Sequence, residues 1–550
     1  MTKSPETRIR NKKRLMQVIL GAAVIVLATF IAYVPAMKAG FIWDDDRYLT
    51  ANPLITAPGG LRQIWLSLNS PSQYFPLVYT SFRLEHALWG MDPFGYHLVN
   101  VILHAMNALL IWLLLSKLSI RGAWLAAAIF ALHPVNVESV AWITERKNTL
   151  STLFYLLTIL AWLKSTDKSP DADRYYKLAF GLFALSLFAK TTACTLPIAL
   201  LLIEYLRGNR ITMRRVMDIV PFAGLALFMG LVSVWWEHHN QGTVGARFDF
   251  SIPQRLLIAS RAVWFYLGKL VWPAKLTFSY PKWGIDASSA IQYIWLAACI
   301  VAAGALYRFR GKLRGVNTAA MFFVASLVPT LGFFSLYTFR FTYVADHYQY
   351  VAAIGPIALF AAMISKLRKP VNYILPILIL SVLGGFTWRQ THAYADLETL
   401  WTDTLAKNPE SELAHHNLAT ILQEQGRYEE ALTHLEKALK LDPTAFQVHQ
   451  VLANCLVELG KRDEAIKHYE AALKLCPNYP GGHFSLANVL AQQNDYDGAI
   501  AHYKKAIELD CNYAEAHYNL GILLNRLGRI EESAEEIDTA IRLDPALGQP

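Results

Sequence analysis

The chain has 550 residues, of which 54% are hydrophobic and 17% are charged, and its mean hydropathy is +0.27. Soluble domains carry about 25% charged residues, so this composition excludes an ordinary soluble protein, and its apolar content excludes a disordered one. The charge is unevenly divided: residues 408–550 contain 12 Lys and Arg against 22 Asp and Glu, whereas residues 1–407 contain 39 against 20. We therefore expect two chemically different parts, joined near residue 400.

The first part contains many apolar runs near the length, about 20 residues, at which a helix crosses a bilayer. They predict an all-α membrane domain over residues 15–390 with about 11 spans. Eight runs are long: 15–37, 96–118, 123–142, 216–236, 290–307, 317–337, 350–367 and 371–388. Three are shorter: 149–163, 178–188 and 196–206. Residues 255–272 are predicted to be re-entrant or to lie along the membrane surface, because a full span there would reverse the side of every later loop.

Basic residues set the predicted orientation, since cytoplasmic loops carry an excess of Lys and Arg. The N-terminal tail, residues 1–14, holds Lys3, Arg8, Arg10, Lys12, Lys13 and Arg14, so it is expected in the cytoplasm. The loops 38–94, 143–148, 237–289 and 338–349, together with the C-terminal part, are then expected outside the cytoplasm.

The second part repeats every 34 residues. Proline recurs at Pro409, Pro443, Pro477 and Pro545, with Cys511 in the missing place, and alanine and leucine positions keep the same interval. This period is typical of tetratricopeptide repeats, and it predicts four of them over residues 408–550, preceded by a degenerate connecting helix at 391–407. Such a solenoid has a concave face suited to extended peptides, and Asn417 and Asn519 are candidate contacts to the peptide backbone there.

Histidine occupies one position in all four repeats, at His415, His449, His483 and His517. A ladder of bound metal is the functional interpretation. Equivalent positions of stacked helices are separated by roughly 8–10 Å, which is too far for two of them to share an ion. We therefore predict a helix-packing role for these histidines, and no metal site.

The first external loop opens with the acidic motif FIWDDDR, residues 41–47. Adjacent carboxylates raise one another's pKa values, which favours a general base at Asp44, Asp45 or Asp46. The alternative is a solvated loop at a helix end, with Trp43 as an aromatic anchor at the membrane interface.

Further polar residues fall on the same predicted side of the membrane, near the level of the lipid headgroups: His133, Glu138, Arg146, Lys147, Lys190, Arg340, Asp346 and His347. Arginine and lysine at that level could bind a lipid-linked phosphate, while a carboxylate takes a proton from an acceptor hydroxyl. Alternatively, these side chains pair with each other or extend towards water.

An ordered series of motifs makes the chain resemble a known family. The series runs FIWDDDRYLTANPLI, YHLVNVILHAMNALLIWLLL, ALHPVNVESVAWITERKNTLSTLFYLL, AKTTACTLPIALLLIEY, YLGKLVWPAKLTFSYP and ADHYQYVAAIGPIAL. It resembles the transmembrane and tetratricopeptide-repeat-containing (TMTC-like) protein O-mannosyltransferases and their bacterial relatives, from about residue 15 to the C-terminus.

This resemblance implies a GT-C glycosyltransferase that moves mannose or another hexose from a polyprenyl-phosphate donor to Ser or Thr of a protein held by the repeats, with inversion. Carried over, Asp44 is the base, Asp45 assists it or orients the acceptor, and Asp46 is the third choice. Donor-binding roles fall on Arg146, Lys147 and Lys190, with His133 and Glu138 shaping the pocket. At His347 the family usually has arginine, so a phosphate role there is in doubt.

The resemblance requires no metal or other cofactor; a Mg²⁺ or Ca²⁺ ion held with the phosphate by the acidic loop is the alternative. The expected location is a bacterial inner membrane with the repeats in the periplasm, or an endoplasmic reticulum membrane with the repeats in the lumen. Three other functions stay open: a non-catalytic membrane scaffold, a lipid-sugar transporter, and a related enzyme that acts on a glycan or lipid acceptor.

Overall fold

The computed structural model describes residues 5–67, 73–167, 170–240, 243, 245 and 248–548, and it describes side chains from residue 12 onward. Residues 1–4 of the predicted cytoplasmic tail, and the side chains of Arg8 and Arg10, lie outside this description. Every regular element in the described ranges is helical. The chain divides into two compact units, residues 1–403 and 404–550.

Not every predicted span is helical throughout, since within 317–337 the α-helix ends at Leu327. The first unit is built from helices that overlap each of the predicted spans. They are α1 (Pro5–Ala32), α2 (Pro53–Thr56), α3 (Gly60–Leu66), α4 (Pro76–Trp89), α5 (Pro93–Lys117), α6 (Ala123–Leu132), α7 (Val137–Ala141), α8 (Arg146–Thr166), α9 (Ala172–Ala189), α10 (Leu196–Leu206), α11 (Met213–Asn240), α12 (Ile252–Val271), α13 (Ile294–Arg308), α14 (Arg314–Leu327), α15 (Ile354–Ile364) and α16 (Val371–Thr391). Helix α17 (Leu397–Lys407) runs across the division between the units.

Five helices of the described chain are long and apolar enough to cross a membrane, and they belong to α1, α5, α11, α13 and α16. The bent pair α6 and α7 makes a sixth if it counts as one span. The protein is therefore an integral membrane protein. The helices in the other predicted spans are shorter or more polar, so the count of about 11 stays a prediction.

The predicted straight span 123–142 is wrong in one respect, because the chain bends by 55° between α6 and α7. Pro134 causes the break: it has no backbone N–H to continue the helix, and its ring clashes with the preceding turn. His133 accepts the Val135 N–H at the break, 3.4 Å away. The bend exposes no apolar face, since every residue from His133 to Asn148 is buried.

The second unit is a series of four helix pairs with the predicted 34-residue period. They are α18 (Glu412–Glu424), α19 (Tyr428–Leu441), α20 (Phe446–Glu458), α21 (Arg462–Leu475), α22 (Pro480–Gln492), α23 (Tyr496–Leu509), α24 (Ala514–Arg526) and α25 (Ile530–Leu543). Each pair turns on a residue with positive φ, which is glycine at three turns and Asn494 at the other, because these residues adopt that backbone region at least cost.

Small side chains allow the paired helices of the array to approach closely. Ala438, Ala472, Ala506 and Ala540 are all fully buried where the helices pack. The predicted all-α architecture, a membrane helical domain followed by a tetratricopeptide solenoid, is confirmed.

Candidate active site

The acidic motif lies in the segment between α1 and α2, and Gly40, just before the motif, is held through both its N–H and its carbonyl group. The Gly40 N–H donates to the Ala395 carbonyl at 2.9 Å, and His97 Nε2 lies 3.3 Å from the Gly40 carbonyl oxygen. Trp43 has φ of +49°, a backbone conformation that a bulky residue adopts only when its surroundings impose it. The segment carrying the carboxylates is therefore fixed by the fold.

Asp45 is a buried positioning residue. Its Oδ2 accepts the Ile42 N–H at 2.9 Å, and its Oδ1 accepts the Thr144 N–H at 2.9 Å together with the Thr144 hydroxyl. Burial raises the pKa of Asp45 to about 7, although these hydrogen bonds act in the opposite direction. The side chain joins the acidic segment to the turn before α8, so both of its oxygens are already occupied.

Asp44 differs from its neighbours because its carboxylate accepts no hydrogen bond from the described residues. It is half-buried, whereas Asp46 is exposed and accepts the Arg47 N–H at 2.6 Å. Burial raises the pKa of Asp44, opposed by the positive charges of Lys147 and Arg47. A carboxylate with a raised pKa and free lone pairs is chemically suited to be a general base.

Glu145 is the centre of a buried charge cluster that the sequence prediction did not select. Its Oε1 lies 3.1 Å from Lys147 Nζ, and its Oε2 accepts hydrogen bonds from Lys190 Nζ at 3.2 Å and Asn148 Nδ2 at 2.6 Å. Burial alone would raise the pKa of Glu145, but His347, Lys147 and Lys190 together hold it well below its usual value. Glu145 therefore pairs with two lysines.

Lys147 connects the cluster to the acidic segment. Its ammonium lies over the rings of Tyr48, Phe75 and Trp142, with distances of 5.2, 5.7 and 5.6 Å to the ring centres. Its charge is also the largest influence that opposes the raised pKa of Asp44. The structure thus brings together three predicted residues, Asp44, Lys147 and Lys190.

The predicted phosphate-binding role of Arg146 is wrong, because the protein itself uses all the hydrogen-bond donors of this side chain. The guanidinium forms a two-point ion pair with Glu85, with Nη2 3.1 Å from Oε2. Its other donors go to Asn100 Oδ1, to the Tyr96 carbonyl at 2.8 Å and to the Ser81 hydroxyl at 3.4 Å. All five N–H groups of an arginine are thereby used, so Arg146 holds α4, α5 and α8 together.

Glu138 and His347 form a second pair beside Glu145. His347 Nδ1 lies 3.1 Å from Glu138 Oε1, the His347 N–H donates to Glu138 Oε2 at 2.9 Å, and His347 Nε2 lies 3.9 Å from Glu145 Oε1. The imidazole therefore stands between two carboxylates of the protein.

The remaining predicted residues have separate partners. His133 Nε2 lies 3.0 Å from the Leu270 carbonyl oxygen, and both oxygens of Asp346 accept the Tyr280 hydroxyl at 3.0 Å. The Arg340 guanidinium lies over the ring of Phe341 at 5.2 Å, and its Nε is buried without a hydrogen-bond partner among the described residues. No described contact joins His133 or Arg340 to the Glu145 cluster.

A small cavity adjoins the charge cluster. One wall is a face of the long membrane helix α11, and the other includes Phe75 and Thr191. Gln73, also on the wall, accepts the Tyr48 hydroxyl at 2.6 Å and donates to Glu237 at 3.1 Å. Because Phe75 also contacts Lys147, the cavity leads from a membrane helix towards the cations.

In the repeat array, the two predicted asparagines have protein partners. Asn417 donates to the Leu413 carbonyl of its own helix at 2.6 Å, and Asn519 donates to Asn488 Oδ1 at 2.9 Å. Asn488 Oδ1 also accepts the Tyr503 hydroxyl at 2.6 Å. The predicted peptide contact at Asn519 is thus one member of a polar network that includes Asn488, a position the sequence prediction did not select.

The repeated histidines form pairs within each repeat. The Nδ1 atoms are 2.8 to 3.0 Å apart in the first three repeats, and Glu536 takes the second place in the fourth, 2.6 Å from His517 Nδ1. The three pairs are His415 with His434, His449 with His468, and His483 with His502. The residues described contain no group of three or more metal-ligating side chains. These histidines therefore join the two helices of a repeat, as predicted for packing, but through hydrogen bonds.

These pairs predict that the array loses stability in mild acid. Burial lowers the pKa of His415, His434, His449 and His468, so the unfolded chain binds more protons than the folded one below about pH 6.5. Between pH 7.5 and 5.5 we expect the unfolding free energy of the array to fall, on the order of 1 kcal/mol in total because the rings are partly screened by water.

Hydrogen exchange of residues 404–548 in the full-length protein measures this fall. The variant with His434→Gln, His468→Gln and His502→Gln keeps a hydrogen-bond donor but cannot take the proton, so its fall should be smaller. An unchanged pH dependence in that variant would contradict the role assigned to the pairs.

Comparison with known proteins supports the two-part organisation. Residues 71–236 match the model of the dolichyl-phosphate-mannose-protein mannosyltransferase family, and residues 410–478, 487–528 and 514–547 match tetratricopeptide repeat models. Among solved structures, that of MamA covers 28% of this chain and 88% of its own, with 19% identity and a TM-score of 0.26.

Two curated relatives match along most of the chain. Protein O-mannosyl-transferase F38B6.6 of Caenorhabditis elegans is 25% identical, over 80% of this chain and 65% of its own length. Protein O-mannosyl-transferase TMTC1 of Homo sapiens is 26% identical, over 77% of this chain and 55% of its own length. The chain thus spans somewhat more than half of the length of the relatives it matches.

An all-α membrane unit with a match to a mannosyltransferase family model, continued by a tetratricopeptide solenoid, defines the class: helical membrane proteins that carry a repeat array. Within that class, the chain is similar to the TMTC-like proteins named protein O-mannosyl-transferases.

Proposed function

We propose that this protein transfers a sugar, mannose or another hexose, from a polyprenyl-phosphate donor to Ser or Thr hydroxyls of an extracytoplasmic protein. The single observation that carries the proposal is the arrangement around Lys147. Lys147 pairs with Glu145, which also pairs with Lys190, and the charge of Lys147 is the largest influence that opposes the raised pKa of Asp44. The similarity to proteins named protein O-mannosyl-transferases supports the same reaction class.

The reaction is a single displacement. Asp44 takes the proton of the acceptor hydroxyl, the hydroxyl oxygen attacks the anomeric carbon, and the bond from that carbon to the phosphate oxygen breaks, so the configuration is inverted. The departing lipid phosphate gains negative charge, which fixed cations stabilise. We assign those cations to Lys147 and Lys190, which share the carboxylate of Glu145.

The donor lipid enters along the cavity beside α11. The face of this membrane helix that lines the cavity carries the apolar Met229, Val232 and Trp236 together with Ser233 and Glu237, and Gln73 also lines the cavity. The apolar side chains suit the lipid chain, and the polar ones suit its head group. No metal or further cofactor takes part in the proposed reaction.

The repeats hold the acceptor polypeptide outside the cytoplasm, with Asn417 and the network of Asn488 and Asn519 on the array as contacts. The proposed location is a bacterial inner membrane with a periplasmic array; the alternative is an endoplasmic reticulum membrane. A scaffold without catalysis is the competing function, and it predicts that Asp44 can be neutralised without loss of function.

The test uses the purified protein in lipid nanodiscs with polyprenyl-phosphate mannose, a nucleotide-linked mannose and an extracted periplasmic or luminal protein pool. Mass spectrometry of the acceptor proteins reads the products. We expect hexose on Ser or Thr with the lipid-linked donor and none with the nucleotide-linked donor. Capture of proteins by the array without transfer from any donor would favour the scaffold.

Within this reaction, Lys190→Gln should raise the KM for the lipid-linked donor about tenfold or more. A hydrogen bond to a charged group contributes about 1.5–3 kcal/mol, and each 1.4 kcal/mol changes affinity about tenfold. Lys177→Gln is the matched control, because this lysine lies on α9, the helix that ends just before Lys190, with an exposed side chain paired to Asp173. Equal donor KM values in the two variants would contradict a phosphate role for Lys190.

A further inference from the structure

The segment that connects the last membrane helix to the repeats takes part in the structure around the acidic motif. The sequence predicts only a degenerate connecting helix there. In the structure, the first membrane unit extends to residue 403 and so includes the first half of α17. Ala395 accepts the backbone hydrogen bond of Gly40, and Trp401, on α17, is 1% exposed.

Trp401 belongs to a group of three rings that we call the aromatic clamp, formed by Trp43, Phe278 and Trp401. The ring centres of Trp43 and Trp401 are 5.0 Å apart with planes at 76°, and those of Phe278 and Trp401 are 5.4 Å apart with planes at 87°. Trp43 and Phe278 complete the triangle at 6.1 Å. All three pairs have the edge-to-face geometry that aromatic rings prefer.

The clamp explains how Trp43 keeps its positive φ. That backbone conformation is unfavourable for a residue with a large side chain and persists only where the surroundings determine it. The Trp43 ring is held by two aromatic partners, so the backbone cannot relax without breaking both contacts. The next residue is Asp44, and the one after it, Asp45, is tied through both oxygens. The direction of the Asp44 carboxylate therefore depends on the clamp before it and on Asp45 after it.

We propose that Trp401 is a positioning residue for the Asp44 carboxylate, acting through the edge-to-face contact with Trp43. This inference rests on the proposed function for its effect on rate, but its structural part is independent of it. The segment before the repeats then has a task in the active site besides connecting the two units.

The experiment compares Trp401→Ala and Trp401→Phe with the wild-type full-length protein. In the alanine variant we expect kcat for sugar transfer to fall at least tenfold, with the donor KM within twofold of wild type. Backbone amides of residues 40–46, including the hydrogen-bonded Gly40 and Ile42, should exchange with solvent at least tenfold faster. Trp401→Phe keeps an aromatic ring and should recover most of both quantities.

The matched control is Trp162→Ala. Trp162 is fully buried and has the aromatic partners Tyr176 and Phe222, but it lies on α8 outside the clamp. Its loss should lower the melting temperature as much as the loss of Trp401, without changing kcat per folded molecule or exchange at residues 40–46.

Three results would overturn the inference. In the first, Trp401→Ala lowers the melting temperature but leaves kcat and exchange at 40–46 unchanged. In the second, the segment exchanges faster while kcat is retained. In the third, Trp162→Ala has the same effect on the segment. If the wild-type protein transfers no sugar, the proposed function fails separately, and the exchange data alone decide whether Trp401 holds the acidic segment.

Discussion

Replacing Asp44 with Asn is expected to lower the rate of sugar transfer by about a thousandfold, because a positioned general base typically contributes 10²–10⁴-fold. The amide has nearly the shape of the carboxylate but cannot take the proton from the acceptor hydroxyl. Donor KM should change little, since the phosphate contacts are assigned to Lys147 and Lys190. The measurement is initial rate against donor concentration in nanodiscs.

The same substitution should not destabilise the fold. Asp44 accepts no hydrogen bond from the described residues, and burial raises its pKa, which means that the folded state disfavours the charged form. Removing the charge should therefore leave the melting temperature at neutral pH unchanged or raise it slightly.

The two neighbouring carboxylates provide controls of opposite kinds. Asp46→Asn changes an exposed side chain and should keep the rate within about threefold. Asp45→Asn keeps only one of the two oxygens that accept from Ile42 and Thr144, so it should lower stability as well as rate. An active Asp44→Asn beside an inactive Asp46→Asn would show that the base has been placed on the wrong residue.

Arg146→Met is expected to reduce the unfolding free energy by about 3–5 kcal/mol, because removing one partner of a buried ion pair leaves the other charge uncompensated. The partner is Glu85, and the same guanidinium also binds Asn100 and the Tyr96 carbonyl. The donor KM of the protein that remains folded should be unchanged, since no N–H of Arg146 is left for a phosphate. Thermal unfolding and donor KM are measured on the same preparation.

Two further variants make this second prediction specific. Arg174→Met changes an exposed arginine and should have little effect on stability. The double variant Arg146→Met with Glu85→Met removes both charges and should regain part of the loss, as replacing a buried ion pair by apolar residues often does. A stable Arg146→Met protein with a raised donor KM would restore the phosphate role that the sequence suggested.

The architecture could be predicted from the sequence, because the patterns that indicate it lie within short stretches of the chain. Apolar runs near 20 residues predict membrane helices, and the 34-residue interval of Pro409, Pro443 and Pro477 predicts the array. The bend between α6 and α7 is also signalled locally, by Pro134, although the length of the run 123–142 outweighed it. The histidine pairs have a local signal too, since His434, His468 and His502 each follow a repeated histidine by 19 residues.

The arrangement of the site could be predicted only in part, because its contacts join residues that are far apart in the sequence. Asp44, Lys147 and Lys190 could be selected by type and predicted side, but nothing in the sequence shows that Arg146 meets Glu85, 61 positions earlier. The sequence prediction does not include Glu145, although this residue stands next to two basic residues, a pattern that favours an ion pair. Trp401 belongs to a segment that looks like a linker, and only the three-dimensional fold brings it to Trp43.

The measurement that tests the central claim most directly is the configuration of the sugar linkage formed by the wild-type protein. Nanodisc-embedded protein would be supplied with β-linked polyprenyl-phosphate mannose and an acceptor protein, and the product linkage would be read by nuclear magnetic resonance and by sensitivity to α- and β-mannosidases. A single displacement assisted by Asp44 predicts α-linked mannose on Ser or Thr. A β-linked product, or no transfer from any lipid-linked donor, would contradict it.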